Sequence, residues 1–271
     1  MRDILVTGGS GFLGKELISR LDQNKVKTIA RNEGNLIELQ QKYPNIEIIT
    51  GNIDDYCLCK SILKGVKTIY HLAAYKHVGL AETYTKECTS SNVIGTLNLL
   101  DNFIGDTFIA ISTDKAAQVS GVYGATKLLM ERLIREYEKR FPEIKYRVVR
   151  YGNVLYSTGS VLCKWKDLIC NHKEIIVTEP RATRFFWTIE QAIDLIFECL
   201  DKATNCAPYC PEMKSILIQD LLSAMFKKYG KVPVKQIGLQ RGENLHEKIM
   251  EDGKYSNEVL SYTPDEIEKM I

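Results

Sequence analysis

Short apolar runs alternate with amphipathic stretches through the first 150 residues. Asp3–Thr7, Val26–Ala30, Ile46–Thr50, Thr68–Leu72, Thr107–Ile111 and Ile144–Val149 are β-branched-rich runs of five or six residues. Runs of this length with little polar alternation predict strands covered on both faces. Between them lie helix-period patterns: through Leu17, Ile18 and Leu21, over Cys57–Leu63, from about Glu87 to Phe103, and after Tyr123. Strand and helix in strict alternation imply right-handed crossovers and a doubly wound parallel sheet.

After Arg150 the alternation stops. Tyr151–Val154 reads as a loop, Val161–Asn171 as a helix and Ile189–Leu200 as an amphipathic helix. Leu217–Tyr229 and Leu245–Met250 also read as helical, with a short strand at Val232–Gln236. The expected organisation is an α/β chain: a Rossmann-type dinucleotide domain over 1–155 and a small C-terminal α+β substrate lobe over 156–271. The helix near 189–201 is expected to pack back on the first domain. No internal repeat or low-complexity tract interrupts this plan.

The turn after the first strand is Gly8-Gly9-Ser10-Gly11-Phe12-Leu13-Gly14. Strand, glycine turn and helix is the context that a dinucleotide fingerprint requires. Gly8 permits the turn, Gly11 lets the backbone approach a pyrophosphate, and Gly14 allows close helix packing. The amides of Ser10, Phe12 and Leu13 would then face phosphate at a helix N-terminus. The second strand ends in Arg31-Asn32, where an acid would bind the ribose hydroxyls of NAD. An arginine there suits a 2′-phosphate, hence NADP, unless it is a solvated surface residue. Asn52 and Ile53 are expected near adenine. Leu72, Ala73 and Ala74 are expected beneath the cofactor, with Asn92, Ser112 and Tyr151 as further contacts.

From Ile111 to Lys127 the chain passes from strand to helix through Ser112-Thr113-Asp114-Lys115 and reaches Tyr123-Gly-Ala-Thr-Lys127. Residues four apart share a helix face, so Tyr123 and Lys127 point into the same space. A neighbouring ammonium would stabilise the Tyr123 phenolate and bring it toward neutrality as a base.

Composition narrows the options. A net charge of +2 with interspersed signs offers no basic stripe for nucleic acid. The first residues enter a strand at once, leaving no room for a signal peptide, and no apolar run is long enough to span a bilayer. The eight cysteines contain no Cys-x-x-Cys pair, so free thiols in a reducing cytoplasm and no metal site are expected. His71, in a strand-like run, reads as core or hinge.

With these motifs in order the chain resembles the extended short-chain dehydrogenase/reductase family. More narrowly, it is similar to the inverting UDP-N-acetylglucosamine 4,6-dehydratases, which also epimerise C5 and serve glycan and capsule pathways. The residues that carry the resemblance are Ala73–His77, Ser112–Ala117, Tyr123–Lys127, Arg150–Val154, Thr183–Phe185 and Gly242–Glu247. One stretch departs from the family: the arginine expected two places before Gly242 is Gln240, with Arg241 beside it.

The resemblance implies NADP, UDP-N-acetylglucosamine as substrate, a cytoplasmic homo-oligomer, and no net redox change. Tyr123 with Lys127 would deprotonate the 4-hydroxyl, Thr113 would bond the 4-oxygen, Lys115 would remove the C5 proton and Asp114 would protonate the departing 6-hydroxyl. Substrate contacts would come from Lys76, His77, Asn153 and Val154, and in the lobe from Arg181, Thr183, Arg184, Arg241 and Glu243. The product would be UDP-2-acetamido-2,6-dideoxy-β-L-arabino-hexos-4-ulose. A nucleotide-sugar 4-epimerase or reductase would need the Tyr/Lys pair but not Asp114 and Lys115. A non-catalytic NADP sensor would need neither.

Overall fold

The computed structural model describes residues 2–271. Its central sheet contains β1 (Ile4–Thr7), β2 (Val26–Ala30), β3 (Glu47–Thr50), β4 (Thr68–His71), β5 (Thr107–Thr113) and β6 (Lys145–Tyr151), all parallel, in the order β3-β2-β1-β4-β5-β6. Leu5 and Val6 show why the strands are apolar at consecutive positions. Both are fully buried, on opposite faces. Val6 packs among α1 (Phe12–Ser19), α2 (Glu33–Lys42) and the distant α9 (Ile189–Lys202). Leu5 packs among α3 (Tyr56–Ile62), α6 (Gly95–Asn102) and α7 (Val122–Arg140). The order reverses at β1/β4, which opens a crevice at the strands' C-terminal ends, where ligands of such sheets bind.

Two predicted elements change shape near that edge. The fifth strand runs on to Thr113, because Ser112 and Thr113 pair with Arg150 and Tyr151 of β6. The predicted long helix is α5 (Thr85–Thr89) continuing through a wider π-type turn, Ser90–Ile94, into α6. Asn92 lies in that turn. Its amide oxygen accepts from Tyr75 N at 2.7 Å and its nitrogen donates to Thr126 Oγ1 at 3.0 Å. A short α4 (Val78–Thr83) precedes it.

The lobe is built on β9 (Thr183–Trp187), which pairs with β10 (Ser215–Leu217) and with β7 (Asn153–Val154). Tyr151–Val154 is therefore not a loop: Tyr151 ends β6, and Asn153 and Val154 pair with Phe186 and Trp187 to lead the chain across. A second ladder joins β8 (Ile175–Val177) to β11 (Val234–Gln236). The helices α8 (Val161–Cys170), α10 (Ile218–Tyr229) and α11 (Pro264–Met270) close a third core around Trp165, Phe186, Ile216 and Leu221.

Leu245–Met250 is not helical. Its backbone is committed elsewhere: Thr183 N donates to Leu245 O, Glu247 N to Ser256 Oγ, and Ser256 N to Glu247 O. Helix α9 starts in a Thr188/Gln191 capping box and lays Ile193, Ile196 and Cys199 against the sheet core.

Candidate active site

The sheet edge and the lobe enclose a cleft of about 1060 Å³. One end is the glycine turn. Gly8 has φ +72°, and a Cβ there would lie 3.0 Å from Ala73 N and Cα, so both backbone conformation and space call for glycine. Helix α1 then begins after Gly11 with no side-chain cap, leaving its first-turn amides free to meet phosphate. These features fit a dinucleotide. Gly8, Ser10, Gly11, Phe12, Leu13 and Gly14 all line the cleft, as do Asn52, Ile53, Leu72, Ala73 and Ala74.

Arg31 lies exposed at the rim, with no carboxylate within 4 Å among the described residues. Asn32, also at the rim, caps α2 through Asn35 N. Below them His71 sits between Thr7 Oγ1 (2.8 Å) and Thr96 Oγ1 (2.9 Å). Burial and the Lys127 charge pull its imidazole down to about 3, so it stays neutral and pins the switch point. Asn92 does not reach the cleft: its amide is used up on Tyr75 and Thr126, and its neighbour Ser91 faces the cleft instead.

At the other end, Thr113 closes β5 and Asp114 and Lys115 follow in a single 3₁₀ turn, facing Tyr123 and Lys127 on α7. The helix can come this close because residue 124 is glycine. A Cβ there would lie 2.3 Å from Lys115 O.

The simple electrostatic expectation for this pair is not met. Enclosure pushes the Tyr123 phenol up to about 12, against the opposing pull of a contact with Thr113 and the Lys115 charge. Lys127 is itself drawn down to about 8 by burial, its Nζ lying 3.2 Å from Met130 Sδ. Desolvation therefore outweighs the one-turn pairing for both groups.

Lys115 departs from expectation in the opposite sense. Burial alone would lower it, but Asp114 and Glu247 raise it above the ordinary lysine value. Its Nζ donates to Asp114 Oδ1 at 3.2 Å and lies 3.2 Å from Glu247 Oε1. Thr113 Oγ1 also donates to Asp114 Oδ1, at 2.8 Å. Asp114 Oδ2 is buried with no hydrogen-bond partner among the described residues. Glu247 closes the motif Gly242–Glu247, but its own role was not legible because its partners are 63 and 132 residues away, in Arg184 and Lys115.

Behind the site, Ser112 Oγ and Arg150 both donate to Glu131, one turn beyond Lys127 on α7. Arg150, fully buried, also donates to Ile249 O and to the half-exposed Glu251. This network ties β5, α7 and β6 to the lobe's last loop. Removing one partner of a buried pair typically costs about 3–5 kcal/mol. Arg150→Met should therefore lower the melting temperature by on the order of 10 °C. A calorimetric shift under ~2 °C would show that Glu131 is accommodated without its cation.

Of the predicted substrate residues, Lys76, His77, Asn153, Val154, Arg184 and Glu243 line the cleft, as do the cofactor candidates Ser112 and Tyr151. Arg181, Thr183 and Arg241 do not line it. The Arg181 side chain is 80% exposed and forked on Glu179. Thr183 is spent on His246 and Ser256, stitching β9 to the lobe's loop. Arg241 is exposed outside the cleft. The lobe adds a wall of Trp165, Leu168, Phe186 and Ile218 that the sequence did not mark.

A glycine cradle on a 3-2-1-4-5-6 sheet, a Tyr/Lys pair one helical turn apart and a small lobe over the strand ends define an extended short-chain dehydrogenase/reductase. The family model described as "Polysaccharide biosynthesis protein" matches residues 4–263, and the chain belongs to that family. A UDP-N-acetylglucosamine 4,6-dehydratase (inverting) of Campylobacter jejuni is 31% identical over 258 residues, covering 91% of this chain and 76% of its own. An uncharacterized membrane protein of Methanocaldococcus jannaschii is 37% identical over 96% of this chain and 84% of its own. Among the described residues of this chain, no helix is long and apolar enough to cross a membrane. Among solved structures, Pen from Bacillus thuringiensis superposes with a TM-score of 0.92 at 27% identity, covering 99% of this chain and 96% of that one.

Proposed function

We propose that the protein is an NADP-dependent, inverting UDP-N-acetylglucosamine 4,6-dehydratase that makes UDP-2-acetamido-2,6-dideoxy-β-L-arabino-hexos-4-ulose. The observation that carries this reading is the Asp114–Lys115 pair, 3.2 Å apart at the strand ends and facing the same cleft as Tyr123. A 4-epimerase needs no second acid and base there. The inverting dehydratase relative supports the same choice.

Tyr123 takes the proton of the sugar 4-hydroxyl, with Thr113 beside the 4-oxygen. A bound nicotinamide supplies a hydride acceptor at C4 and a hydride donor at C6, together with positive ring charge that favours the Tyr123 phenolate. Lys127, protonated at neutral pH with a value of about 8, adds to that charge. The resting ion pair then provides both remaining catalysts. Moving one proton from Lys115 Nζ to Asp114 Oδ1 yields an amine and a carboxylic acid side by side, with no change in net charge. Lys115 removes the C5 proton as the C6–O bond breaks, and Asp114 delivers its proton to the departing oxygen, releasing water. Both side chains return to the ion pair. A solvent-derived proton reaches C5 from the opposite face, which inverts that carbon. Proton transfers of this kind contribute about 10²–10⁴-fold each.

The test is incubation of purified protein with UDP-N-acetylglucosamine, followed by proton NMR. A methyl doublet at C6 supports dehydration, whereas a 4-epimer with an intact 6-hydroxymethyl group supports an epimerase. For the cofactor, Arg31→Asp should weaken NADP binding by about tenfold or more by replacing a charged fork with a like charge. Calorimetric titration showing that NAD binds the unmodified protein better than NADP would overturn the Arg31 assignment.

A further inference from the structure

Glu247 has no exposed surface, yet its carboxylate is incompletely satisfied. Oε2 accepts from Asn244 Nδ2 at 3.1 Å, while Oε1 has no hydrogen-bond donor among the described residues. Among the described residues, its cations are Lys115 Nζ at 3.2 Å and Arg184 Nε at 3.8 Å. A buried carboxylate with a half-satisfied head costs stability. An amide or an apolar side chain would serve the fold with less cost, so the carboxylate calls for a reason in the site.

The charged and titratable groups around Lys115 come from four elements. Asp114 shares its strand-end turn, Tyr123 faces it from α7, Arg184 from β9, and Glu247 from the lobe's loop. His246, next to Glu247, is held below its ordinary value by burial and the Arg184 charge, and so adds no charge at neutral pH. Two carboxylates, each 3.2 Å from the Lys115 nitrogen, thus share one ammonium.

We propose that Glu247 is a positioning residue for proton removal at C5: it shares the Lys115 ammonium with Asp114, holds it at the cleft, and sets how readily Lys115 gives up its proton. This rests on the dehydratase reading above. Its physical content is simple. The Glu247 charge favours charged Lys115, so removing that charge leaves burial to push the amine toward its neutral form. Through Arg184, which also donates to Leu245 O and Thr183 O, the same carboxylate links the base to the lobe that covers the substrate.

The test uses Glu247→Gln, which keeps shape and the Asn244 contact while deleting the charge. Lys115 is followed by carbon-13 NMR of lysine-labelled protein, assigned by difference with Lys115→Arg. The unmodified protein should keep Lys115 charged beyond the ordinary lysine range, and the Gln variant should titrate about one pH unit lower or more, a tenfold change in the neutral fraction. Exchange of the C5 hydrogen of the 4-keto-6-deoxy product into deuterium oxide should accordingly be about tenfold faster at a fixed pH below that midpoint. Unchanged midpoints, or exchange reduced equally at every pH, would overturn the proposal. Should Glu247→Gln fail to fold, Glu247→Asp retracts the carboxylate and should move both readouts part of the way in the same direction; no movement would overturn it. A shifted Lys115 titration in a protein that never exchanges C5 would retain the charge coupling and sink the dehydratase reading instead.

Discussion

Tyr123→Phe is expected to lower turnover of UDP-N-acetylglucosamine by about 10²–10⁴-fold while leaving the fold intact. The ring stays against the same walls, and the lost hydroxyl is not part of the Ser112–Glu131–Arg150 network that ties the strands to the lobe. The loss should fall on the first step, so that mixing substrate with the oxidised cofactor complex produces no dihydronicotinamide absorbance. A phenol pushed up to about 12 is a poor base by itself. The wild-type rate should therefore fall as pH drops, on the limb where Tyr123 is protonated, and the variant should lack that limb. Near-normal turnover in Tyr123→Phe would mean that the tyrosine is a packing residue.

Lys115→Ala should stop the reaction one step later. On the proposed mechanism Lys115 takes no proton in the hydride transfer from C4, although its charge favours the Tyr123 phenolate, so dihydronicotinamide should form, more slowly, in a single turnover and persist. Overall turnover should fall by about 10²–10⁴-fold. The same change removes the cation between two buried carboxylates, so melting should also come at a lower temperature. The persistent reduced cofactor separates the two effects, since a merely destabilised enzyme would release product and reoxidise what it forms. Absence of the reduced cofactor in this variant, with UDP-sugar bound, would contradict the order of steps.

The sheet and the cofactor cradle were legible because both rest on local signals. Six apolar runs fix the strands, and a glycine turn followed by a helix fixes the cradle. The small lobe was only partly readable. Leu245–Met250 has a helical pattern, but its backbone is captured by Thr183 and Ser256, residues remote in sequence. Asn92 carries a polar group amid apolar neighbours, the usual mark of a site, and instead secures the turn between Tyr75 and Thr126. Arg181 and Arg184 look equivalent on a line, three residues apart. Only Arg184 enters β9 and turns inward, while Arg181 stays in the preceding turn on Glu179. Spacing located the Tyr123/Lys127 pair, but the charge state of that pair depends on burial, and that of Lys115 on Glu247 as well, which no local window contains.

The proposed product requires Lys115 to act at C5 and the proton to return from the other face. The reaction run in deuterium oxide with UDP-N-acetylglucosamine, with the earliest product read by NMR, reports both events. One deuterium at C5, a C6 methyl group carrying the hydrogen that left C4, and ring couplings of the L-arabino configuration are expected. A first-formed product that retains the D configuration at C5 would contradict that requirement.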